Sequence, residues 1–215
     1  MHGWFAWFGL PGTFVLTMLL SALAVLLAVC FPSKPRWICA AAMVFSSLGD
    51  IMLMDFRHIS RYLPIPAFYV GAVLFMVAHV LYLAAFALRI RRARKPLVNW
   101  GLIAALVIVV VAGASLLWPA LHRPRIPWLM VGVCTLYLLI IGANFCTIWS
   151  YTASRGRWRY LAAAGALAFL FSDWIIGLGS LANVYRPDLN RLIWWCYPIG
   201  QGLILLFGEG YRRKK

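Results

Sequence analysis

Long apolar runs, separated by short clusters of charged residues or prolines, make up most of the chain. About 20 apolar residues in a helix cross the hydrocarbon core of a bilayer, and such a helix satisfies its own backbone hydrogen bonds. The runs predict seven spans, at residues 12–31, 37–55, 66–88, 98–118, 126–149, 158–181 and 191–208. The predicted fold class is all-α: a polytopic transmembrane helix bundle around an intramembrane polar cavity. Because no linker or low-complexity tract interrupts the pattern, residues 1–215 are expected to form a single integral membrane domain.

The composition excludes a water-soluble fold. Apolar residues make up 64% of the chain and charged residues only 12%, whereas soluble domains are about half apolar and a quarter charged. Tryptophans near many span ends, such as Trp37, Trp100 and Trp128, are typical of the membrane interface.

The charge pattern predicts orientation rather than a nucleic-acid partner. Although the net charge is +15, the cations stand in short clusters between apolar runs, as basic residues do in cytoplasmic loops. The loops after the first, third and fifth spans, together with the C-terminal tail, are assigned 14 of the 20 Lys and Arg residues. The positive-inside rule then places the N-terminus outside and the C-terminus in the cytoplasm, and a bacterial inner membrane is the expected location. The 14 residues are Lys34, Arg36, Arg89, Arg91, Arg92, Arg94, Lys95, Arg155, Arg157, Arg159, Arg212, Arg213, Lys214 and Lys215.

The first apolar run has two alternatives to a single span. A signal peptide would carry a basic leading region, but only His2 precedes the run. A hairpin made from Trp4–Leu10 and the following run would add an eighth span and move only the N-terminus.

The five cysteines all lie in apolar runs without CxxC spacing and are predicted to be buried free thiols, at Cys30, Cys39, Cys134, Cys146 and Cys196.

Two of the five acidic residues, Asp50 and Asp173, are flanked on both sides by apolar residues. A carboxylate in mid-span costs roughly 2.5–3.5 kcal/mol on insertion scales, so such a residue tends to face a cavity or a partner and to have a function. Asp50 lies 14 residues after Arg36 and Asp173 lies 14 after Arg159, in two spans predicted to run the same way. The two are therefore expected at one depth, facing each other. The alternative is two unrelated helix–helix hydrogen bonds from protonated acids. The other three acids, Asp55, Asp188 and Glu209, are predicted to be solvated or at headgroup level.

Further polar residues are predicted at overlapping depths and would complete a site. Each of them alone is more often a packing contact, but their gathering favours a polar cavity. They are Ser46, one turn before Asp50; His79 and Tyr82, in a stripe with Phe75 and Phe86; Ser172, beside Asp173; and Tyr197 and Gln201, which flank a helix-bending Pro198.

No metal site or other cofactor is predicted. Zinc usually takes three protein ligands. His79 is the only histidine within a predicted span, and nothing in its spacing from Asp50 and Asp173 requires a metal. No phosphate-binding glycine pattern or nucleophile elbow is present.

These residues resemble the pattern of the YhhN family of membrane proteins, which includes the lysoplasmalogenases. The resemblance covers residues from about 37 to 207, and although each motif is weak alone, the four in order are fairly specific. The motifs read Ser46-Ser47-Leu48-Gly49-Asp50, Ala78-His79-Val80-Leu81-Tyr82, Phe171-Ser172-Asp173 and Tyr197-Pro198-Ile199-Gly200-Gln201. The chain departs from the family in two respects: members usually have eight spans, and Pro198 stands where an aromatic residue is common.

The resemblance implies hydrolysis of the vinyl-ether bond of a lysoplasmalogen to a fatty aldehyde and glycerophosphoethanolamine or glycerophosphocholine. The residues suit that chemistry independently. Protonating a vinyl ether at its β-carbon gives an oxocarbenium ion that water captures, which requires one carboxyl group that holds a proton and one that is charged. Paired carboxylates serve glycosidases in a similar way. We expect Asp50 and Asp173 to divide these roles, with Ser46, His79, Tyr82, Ser172, Tyr197 and Gln201 in support.

Three competing interpretations remain at this stage. A proton-coupled transporter or channel would use intramembrane acids as relays, but no inverted repeat or broken half-helix is evident. A non-catalytic lipid-binding protein would tolerate Asp→Asn substitutions. A hydrolase of another ether or amide lipid would share the same cavity. The expected partners are a lysophospholipid substrate and membrane lipids, with no nucleic acid.

Overall fold

A computed structural model describes residues 12–93, 100–122, 126–153, 160–181 and 187–208. Over this part of the chain the predicted all-α fold is confirmed, with seven α-helices close to the predicted spans. A short 3-10 helix, Phe56–Tyr62, joins the second and third of them. The α-helices are α1 (Gly12–Cys30), α2 (Lys34–Leu53), α3 (Ala67–Ala93), α4 (Trp100–Leu121), α5 (Trp128–Ala153), α6 (Tyr160–Leu181) and α7 (Pro187–Phe207).

Five of these helices are long and apolar enough to cross a membrane by length and composition: α1, α2, α3, α5 and α6. Within α4 the segment Leu102–Trp118 is a shorter apolar helix. The helix α7, which carries polar residues such as Arg191 and Gln201, is not among these five.

The side chains of α1 and α2 are arranged for an apolar solvent. In α1 the buried residues Thr17, Leu20, Ala24 and Ala28 follow three- and four-residue spacing, which places them on one face of the helix. Large apolar residues of the same helix are exposed, namely Leu19, Val25, Leu26 and Val29. A helix that faces lipid exposes apolar side chains and buries its polar ones, as α1 does.

Two arginines that the sequence analysis placed in loops lie inside helices and are buried. Arg36 belongs to the first turn of α2, because Ser33 caps that helix by accepting a hydrogen bond of 3.2 Å from the backbone N–H of Arg36. Arg89 belongs to the last turns of α3, which continues to Ala93. The two guanidinium groups lie 5.4 Å from the ring centre of Phe31 and 4.4 Å from that of Phe86, respectively, so aromatic faces shelter their charge.

Asp188, which stands before the predicted start of the seventh span, also belongs to a helix. It lies in the first turn of α7, where the helix dipole favours a negative charge, and it accepts a 2.8 Å hydrogen bond from Arg191.

The proposed Trp4–Leu10 hairpin lies outside the described residues. The acid Glu209 also lies outside them, as do several of the basic residues used to predict the topology, namely Arg94, Lys95, Arg155, Arg157, Arg159, Arg212, Arg213, Lys214 and Lys215.

The chain divides into two compact units within α3, between Ala85 and Phe86. In the first unit α1 packs along α2. Near the end of this pair the rings of Phe14 and Phe56 stack with centroids 4.4 Å apart. The single domain predicted from the sequence stays a prediction.

In the second unit α6 packs most extensively against α7, and α5 packs against both α4 and α6. The α6–α7 contact is a backbone-to-backbone approach at Gly165 and Gly200. A Cβ atom at either glycine would lie 2.7 Å from the carbonyl oxygen of the other, so only glycine fits there. Because Phe169 and Asp173 follow Gly165 on α6, this contact fixes α7 beside the acidic part of α6.

The prediction of free thiols holds for all five cysteines, but burial does not hold for all of them. Cys39, Cys134 and Cys146 are buried, whereas Cys196 is half-buried. Cys30 is exposed because it ends α1 outside the buried face of that helix, which includes Ala24 and Ala28.

Candidate functional site

Asp50 lies near the C-terminal end of α2, on the buried face of that helix. Its position in the sequence explains this, since the buried residues of α2 recur in adjacent pairs one turn apart, and Ser46, Ser47, Gly49 and Asp50 all fall on that face. Leu48, between them, is exposed. Asp50 itself is only 5% exposed. The helix thus turns a short polar patch inward while it presents apolar side chains outward.

A chain of hydroxyl groups connects Asp50 to α1. Thr17 Oγ1 donates to Asp50 Oδ2 over 2.5 Å and also lies 3.0 Å from Ser47 Oγ. Ser47 Oγ lies 3.0 Å from the backbone carbonyl oxygen of Thr17 and 2.6 Å from Ser21 Oγ. Ser21 Oγ in turn lies 3.3 Å from the carbonyl oxygen of Met43. The sequence analysis selected Ser46 from this helix, but the structure shows that Ser47 belongs to the hydroxyl chain.

The α3 candidates belong to the same unit as Asp50. His79 and Tyr82 are fully buried, and the phenol of Tyr82 donates to the sulfur of Met43 on α2 over 3.7 Å. Phe75 packs so close to α2 that a Cβ atom on Gly49 would lie 2.7 Å from its ring. The part of the stripe that lies in this unit, Phe75, His79 and Tyr82, is therefore on the buried face of α3.

Asp173 occupies the corresponding position on α6, in the second unit. It is 9% exposed and accepts a short hydrogen bond from the phenol of Tyr137 on α5. Ser172 Oγ lies 3.3 Å from Asp173 Oδ1 but only 2.7 Å from the carbonyl oxygen of Phe169, so its hydrogen is directed mainly to the backbone. A phenol from a neighbouring helix is thus one hydroxyl donor that the structure places on this carboxylate.

Tyr197 and Gln201 on α7 are buried in the same unit as Asp173. The ring of Tyr197 packs edge-on against Phe169, one turn before Asp173, with centroids 5.3 Å apart. The helix continues through Pro198, which lies between the two polar residues. Of the eight predicted site residues, Asp50, Ser46, His79 and Tyr82 therefore share one unit, and Asp173, Ser172, Tyr197 and Gln201 share the other.

The sequence analysis did not select four polar residues that the structure places beside the two aspartates or in the hydroxyl chain, namely Thr17, Ser21, Ser47 and Tyr137. Thr17 and Ser21 stand four apart in a first helix whose one other hydroxyl residue is Thr13, and four residues is the spacing of one helix face. That spacing was a usable signal. Ser47 was visible only as the neighbour of Ser46, and Tyr137 was one tyrosine in a long apolar run, so neither had a distinguishing pattern.

Asp55 shows how a carboxylate behaves in the loop after α2. Its two oxygens accept hydrogen bonds from the backbone N–H of Ser60 (2.8 Å) and from the Ser60 hydroxyl (2.9 Å). These donors, the backbone N–H first and the hydroxyl second, lower the pKa of Asp55 below its ordinary value, and His58 adds a smaller effect in the same direction. Asp55, Arg57 and His58 all adopt left-handed backbone angles.

Among the residues that the structure describes, no group of three or more His, Cys, Asp and Glu side chains is placed to hold a metal ion. The arrangement instead offers two buried carboxyl groups, each in contact with a hydroxyl of a neighbouring helix. Such groups exchange protons with a bound molecule and hydrogen-bond to its polar atoms.

The chain matches the sequence model of the YhhN family over residues 12–207. Proteins named lysoplasmalogenase from Mycobacterium bovis and Mycobacterium tuberculosis are each 31% identical to it over 197 residues. These alignments cover 86% of this chain and 66% of each relative, so the chain spans just under two thirds of their length. No solved structure gave a significant match. The chain belongs to the YhhN family, as its sequence motifs indicated.

Proposed function

We propose that this YhhN family member is a lysoplasmalogenase-type hydrolase. Its substrate would be a lysoplasmalogen, and its products a fatty aldehyde and glycerophosphoethanolamine or glycerophosphocholine. The observation that carries the proposal is the pair of aspartates, Asp50 and Asp173, each buried in an apolar helix and each bonded to a hydroxyl of another helix. The name of the mycobacterial relatives supports the same activity.

The chemistry follows from what a vinyl ether needs. One carboxyl group protonates the β-carbon, and the resulting oxocarbenium ion is captured by water, which loses a proton to the second carboxyl group. The hemiacetal then separates into an aldehyde and the glycerol hydroxyl. Asp50 and Asp173 act on one substrate molecule in this proposal. General acid–base catalysis of this kind contributes typically 10²–10⁴-fold to a rate.

The supporting residues would orient the polar end of the lipid and the attacking water. Buried Ser46, His79 and Tyr82 accompany Asp50, while Ser172, Tyr197 and Gln201 accompany Asp173. The lipid phosphate would meet basic and aromatic residues at the outer ends of the helices, for which the candidates are Arg57, Arg61, Arg186, Arg191 and Trp194. Of these, Arg57 and Arg61 are exposed on the 3-10 helix, and Arg186 lies outside the described residues.

The setting of the reaction is part of the proposal. The protein would be a single domain in a bacterial inner membrane, with its C-terminus in the cytoplasm. The alkenyl chain of the substrate would lie among the helices, and catalysis would need neither a cofactor nor a metal.

The decisive experiment compares two lipids that differ only in one double bond. Purified protein is incubated with a 1-alkenyl lysophospholipid and with its saturated 1-alkyl analogue, and released long-chain aldehyde is measured. The alkenyl lipid should be cleaved and the alkyl lipid should not, because only the vinyl ether can be protonated at carbon. Equal turnover of the two lipids would contradict the mechanism, and proton flux in proteoliposomes without aldehyde release would favour a transporter.

A further inference from the structure

The hydroxyl chain beside Asp50 contains fewer hydrogens than possible links. Thr17 Oγ1 lies within hydrogen-bond distance of both Asp50 Oδ2 and Ser47 Oγ, yet its single hydrogen can go to only one of them. Ser47 likewise chooses between the carbonyl oxygen of Thr17 and Ser21 Oγ. Ser21 chooses between Ser47 Oγ and the carbonyl oxygen of Met43. The hydroxyl groups can therefore donate along the chain either toward Asp50 or away from it.

One direction suits a charged Asp50. Ser21 then donates to Ser47 Oγ, Ser47 donates to the carbonyl oxygen of Thr17, and Thr17 donates to Asp50 Oδ2. Every hydroxyl hydrogen has an acceptor at 3.0 Å or less. The carboxylate also receives a hydrogen bond from a neutral donor, and a bond to a charged group contributes about 1.5–3 kcal/mol.

The opposite direction suits a neutral Asp50. The carboxylic acid then donates to Thr17 Oγ1, Thr17 donates to Ser47 Oγ, Ser47 donates to Ser21 Oγ, and Ser21 donates to the carbonyl oxygen of Met43. Again every hydrogen has an acceptor. Since an unsatisfied buried polar group is destabilising, a hydroxyl chain that is satisfied in both directions can accompany either form of Asp50 without moving its heavy atoms.

Asp173 has different surroundings. Its neighbour Ser172 directs its hydrogen mainly to the backbone of its own helix, and its bond from another helix comes from a phenol. A phenol, with an ordinary pKa of about 10, gives up its hydrogen far more readily than an aliphatic hydroxyl. It is therefore the better hydrogen-bond donor to a carboxylate.

We propose that Asp50 is the carboxyl group that gives up and regains a proton in each turnover, and that Thr17 is its positioning residue. This assignment rests on the proposed function. The Asp50 proton forms a C–H bond with the β-carbon, using the electron pair of the C=C bond, and leaves Asp50 as a carboxylate. Thr17, Ser47 and Ser21 then reverse their donation. Water adds to the oxocarbenium carbon and releases one proton, and the return of one proton to Asp50 restores the enzyme.

The kinetic test removes the Thr17 hydroxyl while keeping the shape of its side chain. In Thr17→Val we expect kcat on the vinyl-ether lipid to fall roughly ten- to hundredfold with KM nearly unchanged, as expected for loss of one hydrogen bond to a charged group. Thr17→Ser should restore most of the rate, because it keeps the donor. The matched control is Thr147→Val, since the Thr147 hydroxyl bonds only within α5, at 2.7 Å to Ala143. That control should keep the wild-type kcat.

The spectroscopic test does not depend on turnover. The protein has only five Asp and Glu residues, so the infrared carbonyl stretch of a protonated carboxylic acid can be assigned in a detergent without ester groups. We expect such a band in the wild type, its loss in Asp50→Asn, and its displacement in Thr17→Val. The buried titratable groups His79 and Tyr82 carry no carbonyl and do not contribute to it. If Thr17→Val does not fold, Ser47→Ala tests the next link and should displace the same band.

The outcomes separate the two proposals. If the wild type releases no aldehyde, the proposed function fails, and the infrared band alone decides whether Asp50 holds a proton bonded to Thr17. A band that survives Asp50→Asn and disappears in Asp173→Asn would overturn the assignment. So would a Thr17→Val variant with wild-type kcat and an unchanged band.

Discussion

The surroundings of Asp50 and Asp173 differ in kind, although both residues end polar patches on apolar helices. Asp50 is bonded to an aliphatic hydroxyl at the end of a chain of three, and that chain can run in either direction. Asp173 is bonded to one phenol, while its neighbouring serine is directed to the backbone. In our proposal, two identical side chains at matching sequence positions take opposite proton roles, and their different hydroxyl partners support this difference.

The largest effect is expected from replacing either carboxyl group with an amide. Asp50→Asn and Asp173→Asn should each reduce aldehyde release by roughly 10²–10⁴-fold. The double variant should be little worse than the worse single variant, because residues that act as a unit are strongly non-additive. Aldehyde release from purified protein measures all three rates.

The control for these variants is Asp188→Asn. Asp188 is an exposed acid paired with Arg191 at the start of α7, so its substitution should leave the rate unchanged. Additive losses in the double variant would show that the two aspartates work independently, and the comparison between them would lose its functional meaning.

The phenol beside Asp173 tests the other side of the comparison. In Tyr137→Phe, Asp173 loses this donor and no atom is added, so kcat should fall about tenfold, in line with one hydrogen bond to a charged group. Tyr62→Phe is the matched control, because Tyr62 is exposed on the 3-10 helix. If Tyr137→Phe instead removed the carboxylic acid band that we assign to Asp50, the two roles would have to be exchanged.

The glycine contact in the second unit allows its packing to be changed without touching a polar group. In Gly200→Ala the new Cβ atom would lie 2.7 Å from the carbonyl oxygen of Gly165 and 3.0 Å from the backbone nitrogen of Phe169, and backbone cannot rotate away. Overpacking of this kind costs typically 1–3 kcal/mol, so the thermal unfolding midpoint in detergent should fall.

Gly202→Ala is the matched control for this variant. No atom lies within 4 Å of a Cβ there, so the unfolding midpoint should stay or rise slightly. The infrared band assigned to Asp50 should be the same in both glycine variants, because Asp50 belongs to the first unit. Equal midpoints for the two variants would show that the close approach does not limit stability.

The smallest effect concerns Asp55, which extends the comparison to an aspartate outside the membrane-spanning segments. Its pKa is lowered by donors from Ser60, so the loop gains stability from the charged form above the ordinary pKa of aspartate and loses it as pH falls through the lowered value. Hydrogen exchange at the Ser60 amide should therefore stay slow through the ordinary range and quicken only at lower pH. In Asp55→Asn this pH dependence should disappear, whereas protection that is independent of pH in the wild type would contradict it.

The helices could be predicted from the sequence because hydropathy alone specifies them. A run of apolar residues long enough to cross a bilayer has few other stable forms, and each predicted span corresponds to a helix. The ends were less predictable. Arg36 and Arg89 were placed in loops because they are charged, but a cap at Ser33 and aromatic faces at Phe31 and Phe86 keep them inside helices.

The site was predictable only where a residue is out of place in its run. Asp50 and Asp173 stand out because a carboxyl group is rare among apolar residues, and the structure buries both. Thr17, Ser47 and Tyr137 do not stand out, because hydroxyl groups are common in membrane helices. What distinguishes them is a partner on another helix, and that pairing depends on helix packing rather than on local pattern. The roles of the eight selected residues stay predictions.

The two faces of α2 make its length as important as its composition. Since a helix advances about 100° per residue, inserting a single residue just before Ser46 would turn Ser47 and Asp50 away from Thr17, toward the side now occupied by Val44 and Leu48. Such an insertion would leave every side chain of the motif in place and still separate the acid from its hydroxyl partner. For this helix, counting residues matters as much as conserving them.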